Sequence, residues 1–197
     1  MMQNNLKIAI TGGIGSGKSE VCSLIKAAGF PVFSCDEIYC ELLNKGVFDS
    51  DLKNCFGEQI FQDGKLDKRA LAAIVFGSGE ELEKLNKITH PKIMDCAFDN
   101  MKAHKLSFLE VPLLFESGFE GLFDGVIVVL RNLNDRIESV VKRSSISTEE
   151  AILRIKSQFN YEINSFAKYY VIHNNSNLEQ LRVKVDEVLK NIYEKLK

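Results

Sequence analysis

The sequence has no cysteine pattern that pairs. Its 197 residues include five cysteines (Cys22, Cys35, Cys40, Cys55, Cys96), an odd count with no C-x-x-C spacing. Zinc-ribbon and dithiol redox readings therefore have no support, and a reduced, cytoplasmic setting is expected. Long apolar runs are missing too. Val126 to Leu130 has five residues and Ala70 to Phe76 seven, far short of the twenty or so that cross a bilayer. The opening MMQNNLKIAIT holds no apolar signal core, so neither a membrane nor an export route is expected. Nor is there an excess of one charge. Lys and Arg number 25 against 27 Asp and Glu, for a formal charge of −2, which leaves no electrostatic footprint for nucleic acid. No internal repeat or low-complexity tract interrupts the chain.

What is present reads as an ordinary globular chain of one compact domain, 45% hydrophobic and 26% charged. Short β-branched or apolar runs alternate with helical patterns. Leu6 to Thr11, Pro31 to Ser34, Leu106 to Val111, Val126 to Leu130 and Tyr169 to Ile172 read as strands. Continuous apolar strands joined by helices predict an α/β fold with a parallel sheet covered on both faces. Two regions break the rhythm. Residues 37–104 show amphipathic stretches (Leu71, Ile74, Val75; Leu82, Leu85, Ile88) and no convincing strand, which predicts a helical insertion. Residues 135–164 predict a charged helical hairpin turning at Arg143, with a capping box from Ser147 to Glu150 opening its second helix. A closing amphipathic helix runs through Leu178, Leu181, Val185 and Leu189.

One motif carries chemistry. Gly12 to Ser19 matches G-x-x-x-x-G-K-[ST] between a strand and a helix. Gly13, Ile14, Gly15, Ser16 and Gly17 let the backbone turn its N–H groups toward one anion, and the helix N-terminus adds positive potential. Lys18 is placed to reach the β- and γ-phosphates of ATP, and the Ser19 hydroxyl to ligate Mg²⁺. Neither D-x-x-G nor N-K-x-D occurs in place, which excludes a GTPase switch. The strand-ending Glu110 and the short chain disfavour a motor ATPase, leaving a small-molecule kinase. Asp36, just past the second strand, suits a group that orients an attacking hydroxyl. It equally suits the N-cap of a helix starting at Glu37. Arg143, with Arg154 and Gln158 on a shared face, suits a lid over the triphosphate or a solvated charged surface.

These residues resemble one family, dephospho-coenzyme A kinase. Thr11–Ser19 looks like its loop, with Glu20 where the family carries Thr. F-S-C-D-E-I (Phe33 to Ile38) resembles its D-x-D segment and puts Asp36 on the catalytic Asp. L-D-K-R-A-L, I-V-F, I-T-H-P, V-P-L-L-F-E and the S-x-x-E-A-x-x-R-I-x-x-Q lid helix follow in order, and V-I-H-N resembles the late strand and adenine-side loop. The resemblance implies a P-loop three-layer α/β sandwich with strand order 2-3-1-4-5. Its core would be residues 1–36, 105–134 and 165–197, its acceptor-binding insertion 37–104 and its lid 135–164. It implies γ-phosphoryl transfer from ATP to the ribose 3′-hydroxyl of dephospho-coenzyme A with Mg²⁺, by a monomer or weak homo-oligomer. Catalysis would fall to Asp36, Lys18 and Arg143. The acceptor would lie near Lys68, Arg69, His90 and Pro112, and the adenine near Asn174. The sequence departs from the family at Ser34, Cys40, Lys68, Ser139, Asn164 and Tyr169, which leaves the loop and Asp36 intact. Taken alone, His90-Pro91 reads as a helix boundary.

Overall fold

The computed structural model describes residues 5–195. In chain order these form β1 (Leu6–Thr11), α1 (Lys18–Ala27), β2 (Val32–Ser34), α2 (Cys35–Asn44), α3 (Asp49–Phe56), β3 (Phe61–Gln62), β4 (Lys65–Leu66), α4 (Lys68–Val75) and α5 (Gly79–Met101). Then follow β5 (Leu106–Glu110), β6 (Gly125–Leu130), α6 (Leu133–Ser144), α7 (Thr148–Lys156), β7 (Tyr170–His173) and α8 (Leu178–Glu194). The chain divides into two compact units. One combines the residues up to Ser34 with those from Met101 onward; the other is Cys35–Asn100.

The first unit is built on a five-stranded parallel sheet in the order β2-β5-β1-β6-β7. Counting only these five strands, the order is the expected 2-3-1-4-5. The short apolar runs become strands because both their faces are covered. Ile8, Ile10, Phe108, Ile127, Val129 and Ile172 pack with Val21, Ile25, Leu181, Val185 and Leu189 of α1 and α8. The alternate residues Ala9, Leu109, Val126 and Val128 are buried as well. Each of the buried Val, Leu, Ile and Phe side chains contributes about 1.5–3 kcal/mol on leaving water. Helix α1 ends in a Schellman motif, with Gly29 N–H donating to Lys26 O and Phe30 N–H to Ile25 O. That stop swings Phe30 back onto the core, edge-on to Phe108.

Parallel register brings the strands' carboxyl ends to one edge. Ile10 and Ser34 both pair with Glu110, Thr11 with Val128, and Leu130 with His173. Along this edge, α6 and α7 form the expected hairpin. Ser145 closes α6 in a left-handed conformation (φ 51°), and Ser147 and Glu150 form the capping box of α7.

The second unit corrects two expectations. It contains a strand pair, β3 and β4, where none was expected. Asp63 and Gly64 both take positive φ (51° and 74°), the two-residue turn chemistry that closes a hairpin even between strands of two residues. The His90-Pro91 pair lies inside α5 rather than at a helix boundary. Proline in a helix interior costs about 3 kcal/mol, but buried residues anchor the helix on both sides of it, Thr89 before and Ile93, Met94 and Ala97 after. Thr89 also donates its hydroxyl to Leu85 O at 3.0 Å.

Candidate active site

The site grows from the end of β1. After Thr11 the chain runs through Gly12–Gly17 and enters α1 at Lys18. Ser16 N–H bonds Gly13 O at 3.1 Å, closing the turn, while Glu20 and Val21 N–H bond Gly17 O. Gly17 caps α1 at φ 88° and has no side chain to bond the first-turn N–H groups, so these are available to an anion.

Lys18 curls back over the loop and donates from Nζ to Gly12 O at 2.7 Å and Gly13 O at 3.3 Å. Burial holds its ammonium below the ordinary lysine range. Glu110 opposes that shift, while the charges of Arg143 and Arg136 add to it. Glu110 also bonds the Cys22 thiol, which burial first and this carboxylate next push up to about 12. Arg143 itself lies in the exposed last turn of α6.

Beneath the loop lies Asn174, buried, whose Nδ2 donates to Ser16 O at 3.0 Å and to Glu20 Oε2 at 3.3 Å. Its amide would meet any side chain added at Gly17 at 2.1 Å. Asn174 thus shapes the loop directly. Its neighbour Asn175 lines a cleft of about 260 Å³ together with Gly13, Ser16, Arg131, Asn132 and Tyr161. Asn175 Oδ1 accepts from Asn132 N–H at 2.8 Å. Two polar atoms of the lining residues, Ser16 Oγ and Arg131 Nε, are buried without a hydrogen-bond partner.

Several contributors were missed by the sequence reading or given another place in it. Arg136 is 2% exposed, donates from Nε to Ile14 O at 3.0 Å and pairs with Glu162. Burial lowers its pKa, with Glu162 opposing. Gln158 does not share a helical face with Arg154, because α7 ends at Lys156. The chain has already turned there, and Gln158 Oε1 accepts from Ile14 N–H at 2.7 Å, while Arg154 stays exposed. The turn is held by rings. Phe115 meets Phe159 at 4.9 Å and also contacts Tyr161, Phe166 and Tyr169, and Phe159 N–H bonds Glu116. Tyr161 is buried, its phenol pushed up to about 12 by that burial, and it shares a 3.3 Å hydrogen bond with Thr11. Glu110 alone had a legible signal, its place at the carboxyl end of a central strand.

Pro112 follows β5 in this unit, half-buried. The remaining expected residues belong to the other unit. Asp36 is exposed in the first turn of α2. The helix starts at Cys35, so Asp36 is not the N-cap of a helix beginning at Glu37. Lys68 donates to Asn44 Oδ1 at 3.1 Å, and Arg69 is exposed beside it in the first turn of α4. Asp67 caps that helix through the N–H groups of Arg69 and Ala70. His90 is half-buried, and burial lowers its pKa.

A G-x-x-x-x-G-K-S loop at the carboxyl edge of a parallel 2-3-1-4-5 sheet, with Lys18 folded back over it, is the arrangement of a P-loop kinase. The family profile described as dephospho-CoA kinase matches residues 6–180. A dephospho-CoA kinase of Fusobacterium nucleatum is 37% identical over 188 residues, 94% of this chain and 97% of the relative. A solved structure from Thermus thermophilus is similar with a TM-score of 0.81 and 34% identity, covering 98% of this chain and 99% of that one. Dephospho-CoA kinase from Campylobacter jejuni gives a TM-score of 0.63 at 25% identity, over 95% and 97%. The chain belongs to the dephospho-CoA kinase family.

Proposed function

We propose that this protein transfers the γ-phosphoryl group of ATP to the ribose 3′-hydroxyl of dephospho-coenzyme A, yielding coenzyme A and ADP. The observation that carries the reading is the folded Gly12–Ser19 loop with Lys18 lying over it, in a chain that matches the family from residue 6 to 180.

Phosphoryl transfer asks a protein chiefly to position its reactants and to stabilise charge on the equatorial oxygens. The loop and first-turn N–H groups, with Lys18, meet the β- and γ-phosphates. Arg143 adds positive charge from α6. The cleft beside the loop takes the base and ribose of ATP, where the buried Ser16 Oγ and Arg131 Nε gain polar partners. Mg²⁺ enters with ATP. Among the described residues no group of three or more His, Cys, Asp or Glu gathers as a metal site, and the hydroxyl of Ser19 would be the protein's oxygen ligand to a cation carried in with ATP. Such sparse, hard oxygen ligation suits a cation that keeps water and phosphate as its main partners. Asp36 accepts the proton of the attacking hydroxyl, while Lys68, Arg69, His90 and Pro112 contact the acceptor.

The test is acceptor-dependent ADP formation by purified protein with ATP and Mg²⁺, offering dephospho-coenzyme A, AMP, nucleosides and finished coenzyme A. Turnover is expected with dephospho-coenzyme A alone, since finished coenzyme A has no free 3′-hydroxyl. Turnover only with AMP or a nucleoside refutes the named acceptor. Asp36→Asn should lower kcat by about 100-fold or more with ATP affinity little changed, given the 10²–10⁴ scale of general-base catalysis; an unchanged rate removes Asp36 from the mechanism.

A further inference from the structure

Ile14, near the tip of the loop, is gripped through both of its main-chain polar groups. Its N–H donates to Gln158 Oε1 at 2.7 Å, and its C=O accepts from Arg136 Nε at 3.0 Å. The N–H belongs to the Gly13–Ile14 peptide and the C=O to the Ile14–Gly15 peptide, so two consecutive peptide planes are fixed. Neither partner is local: they stand 144 and 122 residues away in sequence. Each is itself braced. The Arg136 guanidinium also pairs with Glu162, and Gln158 precedes Phe159, which the ring cluster and Glu116 hold.

We propose that Arg136 and Gln158 are positioning residues for phosphoryl transfer. They touch no reacting atom. They set the tilt of the two peptides flanking Ile14, and through them the direction of the loop N–H groups that follow. A glycine-rich loop needs such help, because its backbone otherwise has many conformations of similar energy. Fixing it beforehand removes an ordering cost from binding and from the transition state. Arg136 suits the task because its rigid planar guanidinium presents Nε to the loop carbonyl and NH1 to Glu162 in fixed directions, where a lysine offers one compact, freely rotating charge. The proposal rests on the reading of this loop as the ATP phosphate site.

Gln158→Met removes the acceptor at nearly constant volume, and Arg136→Lys keeps the charge without the fork. Three quantities decide the matter: amide exchange at Ile14 in nucleotide-free protein, the Kd for MgATP, and kcat with KM for dephospho-coenzyme A. In Gln158→Met, Ile14 exchange should accelerate and Kd for MgATP should rise, each by about tenfold. A fall in kcat of about 10- to 100-fold should accompany them, with acceptor KM unchanged. Arg136→Lys should lose in the same quantities. The double variant should lose less than the product of the two, since both act on Ile14. Faster Ile14 exchange with unchanged Kd and kcat overturns the proposal, as does a loss confined to acceptor KM. If wild-type protein does not turn over dephospho-coenzyme A, the functional reading fails; exchange and MgATP affinity, both measured without acceptor, still decide the clamp. Gln158 is only half-buried, so its variant answers even where Arg136→Lys does not fold.

Discussion

Two loop glycines face the same arginine in different ways, and a pair of substitutions should separate them. A methyl group at Gly13 would stand 2.3 Å from Arg136 NH2 and 2.7 Å from its Cζ, where carbon contacts normally need about 3.5–4.0 Å. The guanidinium must retreat by roughly 1 Å or more, which breaks its bond to Ile14 O and strains the pair with Glu162. Hydrogen bonds to a charged group are worth about 1.5–3 kcal/mol. Glu162 is 44% exposed at its side chain and regains water, so Gly13→Ala should cost about 2 kcal/mol. For a chain of this size that is about 4–8 °C in Tm. With the side chain removed in Arg136→Ala, the obstacle is gone, and Gly13→Ala should add almost nothing. Gly15 is different. A methyl there meets the backbone of Arg136, its O at 2.6 Å and its Cα at 3.0 Å, on a residue with φ +79°. Truncating the arginine gives no relief, so Gly15→Ala should cost about 2 kcal/mol or more in either background, additive within about 0.5 kcal/mol. Urea unfolding of the six proteins, with m-values compared, measures both cycles. A Gly13→Ala cost that persists in Arg136→Ala would refute the reasoning.

Lys18→Met should abolish turnover by about 100-fold or more and alter the pH dependence of stability. Burial lowers the folded pKa of Lys18 below its unfolded value. Between those two values the unfolded chain binds more protons, so this residue's contribution to stability rises with pH there. The wild type should gain on Lys18→Met as pH climbs toward 10.5, measured as the difference in Tm at pH 7 and pH 10. Ser147→Ala removes one half of the α7 capping box and should cost about 1 kcal/mol in thermal unfolding.

The sheet was legible because its central strands are buried on both faces, which leaves short, β-branched apolar runs such as Val126 to Leu130. The loop was legible because its glycines and Lys18 are contiguous in sequence. Legibility ended where partners meet only after folding. Arg136 carries the same charge as exposed arginines, and nothing local marks it as 2% exposed beneath Ile14. Gln158 looked helical because the lid pattern continues past Lys156, yet the aromatic cluster turns the chain before it. The hairpin at Asp63-Gly64 carries a turn signal flanked by strands too short for alternation to show. Pro91 misled through a local rule that the buried residues on both sides of it override.

The aromatic cluster around Phe115 also has an optical consequence. The chain contains five tyrosines and no tryptophan, so light absorbed by a tyrosine has no indole to which the energy can pass. Its emission reports the surroundings of the phenols themselves. Two of the five, Tyr161 and Tyr169, lie in the cluster that carries Gln158 to the loop. Tyr161 shares its hydroxyl with the last residue of β1. The protein therefore has a built-in fluorophore, Tyr161, at the rim of the cleft beside the loop, and its share of the tyrosine emission should change when the loop moves.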